Sequence, residues 1–293
     1  MVNRSEPSRY EGVFPNNDLI DIFQARQVDP DEIDPQFASA NTFGDDDAEI
    51  PIDREVVHAD DRRKLATDTM LDPFRYVCQV IGTKSGNTHG KAGSGFIINS
   101  RTVLTAAHNL WLGERSTQPS DWIDLLMVYP GLSGNRNGNG VLARAVESSV
   151  PHPNYVNYRD PRFDFALLHL AEPLPAGFGS LPMIAVNPAD LRNHLALISG
   201  YPFKEPRSSA EYTMPQCNQY YDVGLLVPHD GLVKYFADTT EGQSGCPVIV
   251  ITKDQYNRDV WTGVAVHIEG CISTGNKAAP ITPFIHDFIR ANS

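Results

Sequence analysis

Short β-prone runs separated by turn-forming stretches set the pattern of this sequence. Tyr76–Ile81 alternates apolar and mixed residues, then gives way to Gly-Thr-Lys-Ser-Gly-Asn at 82–87. A run of that kind, ended by Gly and Asn, predicts a strand and a turn. Phe96–Asn99 and Thr102–Thr105 flank Ser100-Arg101, which predicts two strands joined by a short turn. Further strands are predicted at Asp124–Tyr129, Val141–Val146, Leu195–Ser199, Tyr220–Val227, Leu232–Ala237, Val248–Thr252 and Val260–His267. The Gly/Asn-rich stretch 134–140 reads as a surface loop. Pro283–Ile289 suits a short C-terminal helix, and Asp18–Arg26 a short amphipathic piece. Many short strands with turns between them predict an all-β fold; periodicity does not choose between sandwich and barrel.

Charge divides the chain in a way hydropathy does not. Residues 1–55 carry 14 acidic and 4 basic side chains, whereas residues 56–293 carry 22 and 20. The acidic stretch also holds five prolines and few apolar clusters, so it is expected to be largely irregular. We read 1–55 as an acidic pro-segment and 56–293 as the functional domain; a solubilising tail is the plainer alternative. No apolar run approaches the ~20 residues of a membrane helix, and the first residues have no signal-type apolar core. Basic patches are sparse, which argues against a nucleic-acid partner. No Cys-x-x-Cys pair is present, so a structural zinc site is not expected; no metal ligand or cofactor is assigned to the candidate site, and calcium dependence stays open.

Candidate chemistry centres on Asp238–Val248, D-T-T-E-G-Q-S-G-C-P-V. Gly242 and Gly245 let the backbone turn tightly beside Ser244. Such a turn can aim the N–H groups of Gly242 and Ser244 at one point, as an oxyanion hole requires. A serine hydroxyl needs a base, and the base needs an orienting group. His108, in T-A-A-H at the end of a predicted strand, is the candidate base. Asp164, in R-F-D-F-A-L-L, opens another apolar run and is the candidate orienting carboxylate; Asp160, in a turn-like R-D-P, fits solvent better. Each of the three also has a purely structural reading.

The strings T-A-A-H, D-F-A-L-L and G-Q-S-G-C-P-V, in that order, resemble the chymotrypsin-type serine peptidases, and within them the V8-like glutamyl endopeptidase branch. The likeness extends to S-G-Y-P at 199–202, to Gly263–His267, and to V-V-H-A-D-D-R at 56–62. It implies two six-stranded antiparallel β-barrels with the active site between them. It implies a secreted, monomeric endopeptidase that acts on proteins or peptides and prefers Glu (or Asp) as the residue before the cut bond. By the same resemblance His267 and Thr239 line the specificity pocket, and Val56, freed by cleavage after Glu55, contributes its α-amino group. Gln243 stands where trypsin-like enzymes carry an aspartate that captures the new amino group, which fits a different use for it. Glu241 and Glu269 stand where the branch usually has small residues. Carboxylates facing the pocket would repel an acidic substrate and favour a basic one, so a different specificity stays open, as does a catalytically dead binding protein. Four cysteines permit two disulfides in three pairings. Cys246–Cys271 is the expected pair if their strands form one hairpin, with Cys78 and Cys217 paired or free.

Overall fold

The computed structural model describes residues 61–85, 90–113, 118–136, 140–203, 217–270 and 275–293. All lie in one compact unit, Pro51–Ser293. The boundary expected between 55 and 56 and the amphipathic piece Asp18–Arg26 fall outside the described residues.

The described chain opens on a two-residue strand, β1 (Lys64–Leu65). Then come β2 (Val77–Thr83), β3 (Gly90–Asn99), β4 (Thr102–Thr105), β5 (Leu125–Pro130), β6 (Arg144–Pro151) and β7 (Ala166–Leu170). These six close into an antiparallel barrel in the order β2-β3-β4-β7-β6-β5. Alternate residues of a strand face opposite sides, so Cys78 and Val80, Leu126 and Val128, and Ala166, Leu168 and Leu170 share one core with Ile97 and Val103. Each fully buried Val or Leu there stabilises the barrel by about 1.5–3 kcal/mol relative to exposure.

The second sheet adds β8 (Leu195–Gly200), β9 (Tyr220–Leu225), β10 (Val227–His229), β11 (Leu232–Tyr235), β12 (Pro247–Lys253), β13 (Asp259–Glu269) and β14 (Asn276–Pro280). Its order is β1-β9-β8-β12-β13-β14-β11-β10. Six inner strands form the barrel-like sheet that was expected, and the short edge strands β1 and β10 bring the count to eight. Ala196, Ile198, Val233, Tyr235, Val248, Val250 and Ala278 pack its core.

Several elements differ from the sequence expectation for identifiable reasons. Tyr220–Val227 splits, because its tail joins a hairpin around Asp230-Gly231, both at positive φ (48° and 79°). An Asp-Gly pair between strands is a two-residue hairpin signal. β3 starts at Gly90 rather than Phe96; its glycines make room for neighbours, since a Cβ on Gly93 would meet the Asn109 side chain. β6 starts later than Val141 and runs on through Glu147-Ser148-Ser149, whose polar side chains hide a strand with an exposed face. Helix α1 (Pro153–Tyr158) was not anticipated; His152 caps it by accepting from Asn154 N–H, with proline at the first helical position. Helix α2 (Pro283–Ala291) is capped by Thr282 and buries Ile285 and Ile289.

Cys78 and Cys217 are free thiols, and burial pushes the Cys78 thiol up. Cys271 lies outside the described residues, and the expected Cys246–Cys271 pair with it. Among the described residues, no helix is long and apolar enough to cross a membrane, and no group of His, Cys, Asp or Glu is placed to hold a metal ion.

Candidate active site

Strand pairing brings His108 and Asp164 together. β4 and β7 are antiparallel, with Thr105 opposite Ala166. The chain leaving β4 and the chain entering β7 therefore lie side by side. Three residues past Thr105 is His108, in a 3-10 turn over Ala107–Leu110; two before Ala166 is Asp164. The Asp164 carboxylate accepts from His108 Nδ1 at 2.7 Å and from the His108 backbone N–H at 2.9 Å. Asp164 is only 4% exposed, so its charge sits in a site where these donors replace water. The ring is thus fixed with Nδ1 toward the carboxylate and Nε2 directed elsewhere.

Ser244 reaches the same region from the second sheet. Pro247 lies opposite Val266 in the β12–β13 pair, and the preceding turn is tied back to β13 by Gly245 N–H to His267 O (2.7 Å) and His267 N–H to Cys246 O (2.9 Å). The Ser244 carbonyl accepts from Ser94 N–H at 2.8 Å and from Asn109 Nδ2 at 2.9 Å. Ser94 belongs to β3 and Asn109 follows His108, so both bonds join the serine turn to the first barrel. No hydrogen bond joins Ser244 Oγ to His108 in this structure. Gly242 and Gly245 adopt φ of +92° and +90°. A Cβ on Gly242 would approach Phe203 N and Tyr201 O at 2.7 Å. Within the turn, Gln243, Gly245 and Cys246 N–H groups find backbone acceptors. Among the described residues, the Gly242 and Ser244 N–H groups have none.

A buried polar pair lies next to the serine turn. His267 is 0% exposed, its Nδ1 is 2.5 Å from the Tyr235 hydroxyl, and its Nε2 has no partner. Burial, and to a lesser degree His108, lowers its pKa to about 3, so the ring is neutral near neutral pH. Thr239 is equally buried, and its Oγ1 has no partner either. Glu241 is exposed. Glu269 is half exposed and paired with Lys277 Nζ at 3.0 Å. Val56 lies outside the described residues.

A family model described as a trypsin-like peptidase domain matches residues 93–254, more than half of the chain. The chain belongs to the trypsin-like peptidases. A relative named glutamyl endopeptidase, from Bacillus licheniformis, is 24% identical over 238 residues, which span 80% of this chain and 67% of that protein. Melanization protease 1 of Drosophila melanogaster is 30% identical over 190 residues, 55% of this chain and 46% of that one. Among solved structures, a Glu endopeptidase superposes with a TM-score of 0.64 at 24% identity, covering 80% of this chain and 98% of its own. The protease Anisep from Arthrobacter nicotinovorans superposes with a TM-score of 0.56 at 15% identity, covering 77% and 96%. These likenesses establish the chymotrypsin-like fold and agree with the resemblance to the V8-like branch.

In this peptidase the sequence left several residues of the site unremarked. Ser94, Asn109 and Tyr235 each touch a candidate residue, yet each is brought there by long-range pairing. Asn109 alone carried a local signal, as a polar residue next to His108 in an otherwise apolar stretch.

Proposed function

We propose that the chain is a serine endopeptidase that cleaves by acyl transfer, with Ser244 as nucleophile, His108 as general base and acid, and Asp164 as the group that orients His108. The observation that carries this reading is the buried Asp164–His108 bond beside a serine turn that is anchored to the residue after His108. His108 Nε2 takes the Ser244 proton during attack on the peptide carbonyl and returns it to the leaving amine. The missing Ser244–His108 bond is compatible with this, because such contacts are often loose until substrate binds. The Gly242 and Ser244 N–H groups, unspent among the described residues, receive the oxyanion.

Preference for Glu (or Asp) before the cut bond rests on the two buried, unpartnered atoms, His267 Nε2 and Thr239 Oγ1. In the tautomer where Nδ1 accepts from the Tyr235 hydroxyl, the neutral ring carries its proton on Nε2 and offers a donor. A substrate carboxylate would satisfy both groups, and a substrate without one would leave them unpaired at a cost of about 1–3 kcal/mol each. Glu241 and Glu269 are exposed, and Glu269 is paired with Lys277, which weakens the argument for a basic preference. The Val56 α-amino group would add a positive charge once Glu55–Val56 is cut, a bond this specificity would itself recognise. On this reading residues 1–55 are a pro-segment and the mature peptidase is secreted and acts as a monomer on proteins or peptides.

Incubating processed protein with a peptide library tests the assignment. Cuts mainly after Glu that vanish in Ser244→Ala are the expected result. Cleavage persisting in that variant would remove the nucleophile, and a dominant non-acidic preference would remove the pocket. N-terminal sequencing of processed protein should read Val-Val-His, and a start elsewhere sinks the proposed processing bond.

A further inference from the structure

We infer that Asp61–Arg63 form a clamp that holds the Ser244 turn in its working geometry, with Arg63 as a positioning residue acting through Thr240 and Gln243. The inference rests on the reading of Ser244 as nucleophile. Arginine is rarely buried unless it is paired, and Arg63 is only 6% exposed. Its guanidinium is gripped by Asp61, with Nε at 2.9 Å and 3.1 Å from the two carboxylate oxygens and one terminal nitrogen at 2.6 Å. The other terminal nitrogen donates to Thr240 Oγ1 at 2.6 Å and reaches Gln243 Oε1 at 3.5 Å. Gln243 Oε1 in turn accepts from Thr240 N–H at 3.0 Å. The preceding residue holds the other end of the same loop: Arg62 N–H donates to Asp238 Oδ2 at 2.9 Å, and its guanidinium lies 3.5 Å from that carboxylate.

Two adjacent residues thus fasten the loop at Asp238 and at Thr240–Gln243, immediately before Ser244. Between these points lie Thr239 and the Gly242 N–H, and just beyond them the Ser244 N–H. A buried arginine fork is planar and directional, so it fixes the atoms it bonds more tightly than a lysine would. Gln243 is uncharged and has no ion pair of its own; Arg63 brings the charge to it. β1 anchors the clamp from behind, with Lys64 opposite Tyr221 and Leu65 opposite Tyr220. Loosening the clamp lets the two N–H donors drift from the oxyanion position. Misplacement on the order of 1 Å costs about 10²-fold in rate, whereas Thr239 stays held through its neighbour Asp238 by Arg62, so binding of substrate in its ground state changes little.

The test uses the processed enzyme with Arg63→Met, Arg63→Lys and Thr240→Val. Each is assayed for kcat and KM, for inhibition by a peptide boronic acid that forms a tetrahedral adduct on serine, and for inhibition by a product peptide ending in Glu. Arg63→Met should lower kcat by about 10²-fold and weaken the boronate by a similar factor, with KM and product binding within about two-fold. This follows from a role confined to the transition state. Arg63→Lys should restore part of both losses. Thr240→Val, which removes only the acceptor of one Arg63 N–H, should lower the same two quantities by about ten-fold and lower Tm by a few degrees while the protein still folds; should Arg63→Met fail to fold, this variant decides. Folded variants that keep kcat and boronate affinity within two-fold overturn the clamp. A change in KM and product binding alone also overturns it, by moving Arg63 into the substrate pocket. Activity surviving in Ser244→Ala would instead indict the nucleophile, and the two failures are distinct.

Discussion

Burial holds the His267 ring neutral and gives it a signature in stability. Its folded pKa is about 3, lowered first by desolvation and then by His108. As pH falls below the ordinary histidine range, the unfolded ring takes a proton that the folded ring refuses. Stability is therefore full above about 6.5 and declines toward 3, where the folded ring also charges. Other groups titrate across the same window, so the comparison is with a variant. His267→Gln should lose less stability between pH 7 and pH 4 than the parent does, read as the shift in urea midpoint; equal losses would show that the ring is not held neutral. On substrates, His267→Ala should lower kcat/KM about 10²-fold for Glu peptides and far less for others, as losing a buried hydrogen-bond partner would. An equal fall on every substrate would mean that His267 only supports the serine turn. At this scale the sequence was informative where chemistry demands one residue type in a short string, as at His108, Asp164 and Ser244. It was silent on Tyr235 and Arg63, because their roles arise only when Tyr235 faces His267 and Arg63 reaches Gln243, contacts between distant parts of the chain.

Two glycines separate the conformational and steric demands on turns. Gly140 and Gly245 have nearly the same φ, +88° and +90°, a region that residues with a Cβ rarely adopt. A Cβ on Gly140 would meet nothing within 4 Å, whereas one on Gly245 would meet Ser94 O and Thr105 Oγ1 and lie 2.9 Å from Ala106 N. Gly140→Ala should therefore cost only the backbone term, about 1–2 kcal/mol. Gly245→Ala must also push β3 and β4 away from the serine turn, and should cost more than that and abolish turnover. Denaturant midpoints and activity for the two variants check this; equal costs would show that the turn is not pinned against the first barrel. The same distinction explains which elements were legible. Strands with an apolar face, such as β2 and β12, were read within a residue or two of their ends. β6, with Glu147-Ser148-Ser149 outward, and β3, opening on glycines, were not, because what makes them strands is the partner across the ladder.

The candidate site exists only because two barrels meet. His108 and Asp164 come from the first, whereas Ser244, His267 and Thr239 come from the second. Ser94 is the joint between them. It is fully buried, its N–H donates to Ser244 O, and its carbonyl accepts from Thr105 Oγ1. Its hydroxyl donates to Gly242 O at 2.8 Å and accepts from Tyr201 N–H at 2.8 Å. Nothing in the sequence distinguished Ser94 from other serines in glycine-rich stretches, since its role requires β3, the turn after β8 and the serine turn to converge. Ser94→Ala keeps the size and the backbone bonds and removes only the hydroxyl. It strands a buried N–H at Tyr201 and deprives Gly242 O of a donor, at about 1–3 kcal/mol. Gly242 is also one of the two proposed oxyanion donors, so the loss should reach the chemistry. We expect Ser94→Ala to lower stability by that amount in urea and to lower kcat about ten-fold with KM unchanged. A variant that lost stability at full kcat would show that the barrels can shift against each other without moving the oxyanion donors, and the joint would then be structural alone.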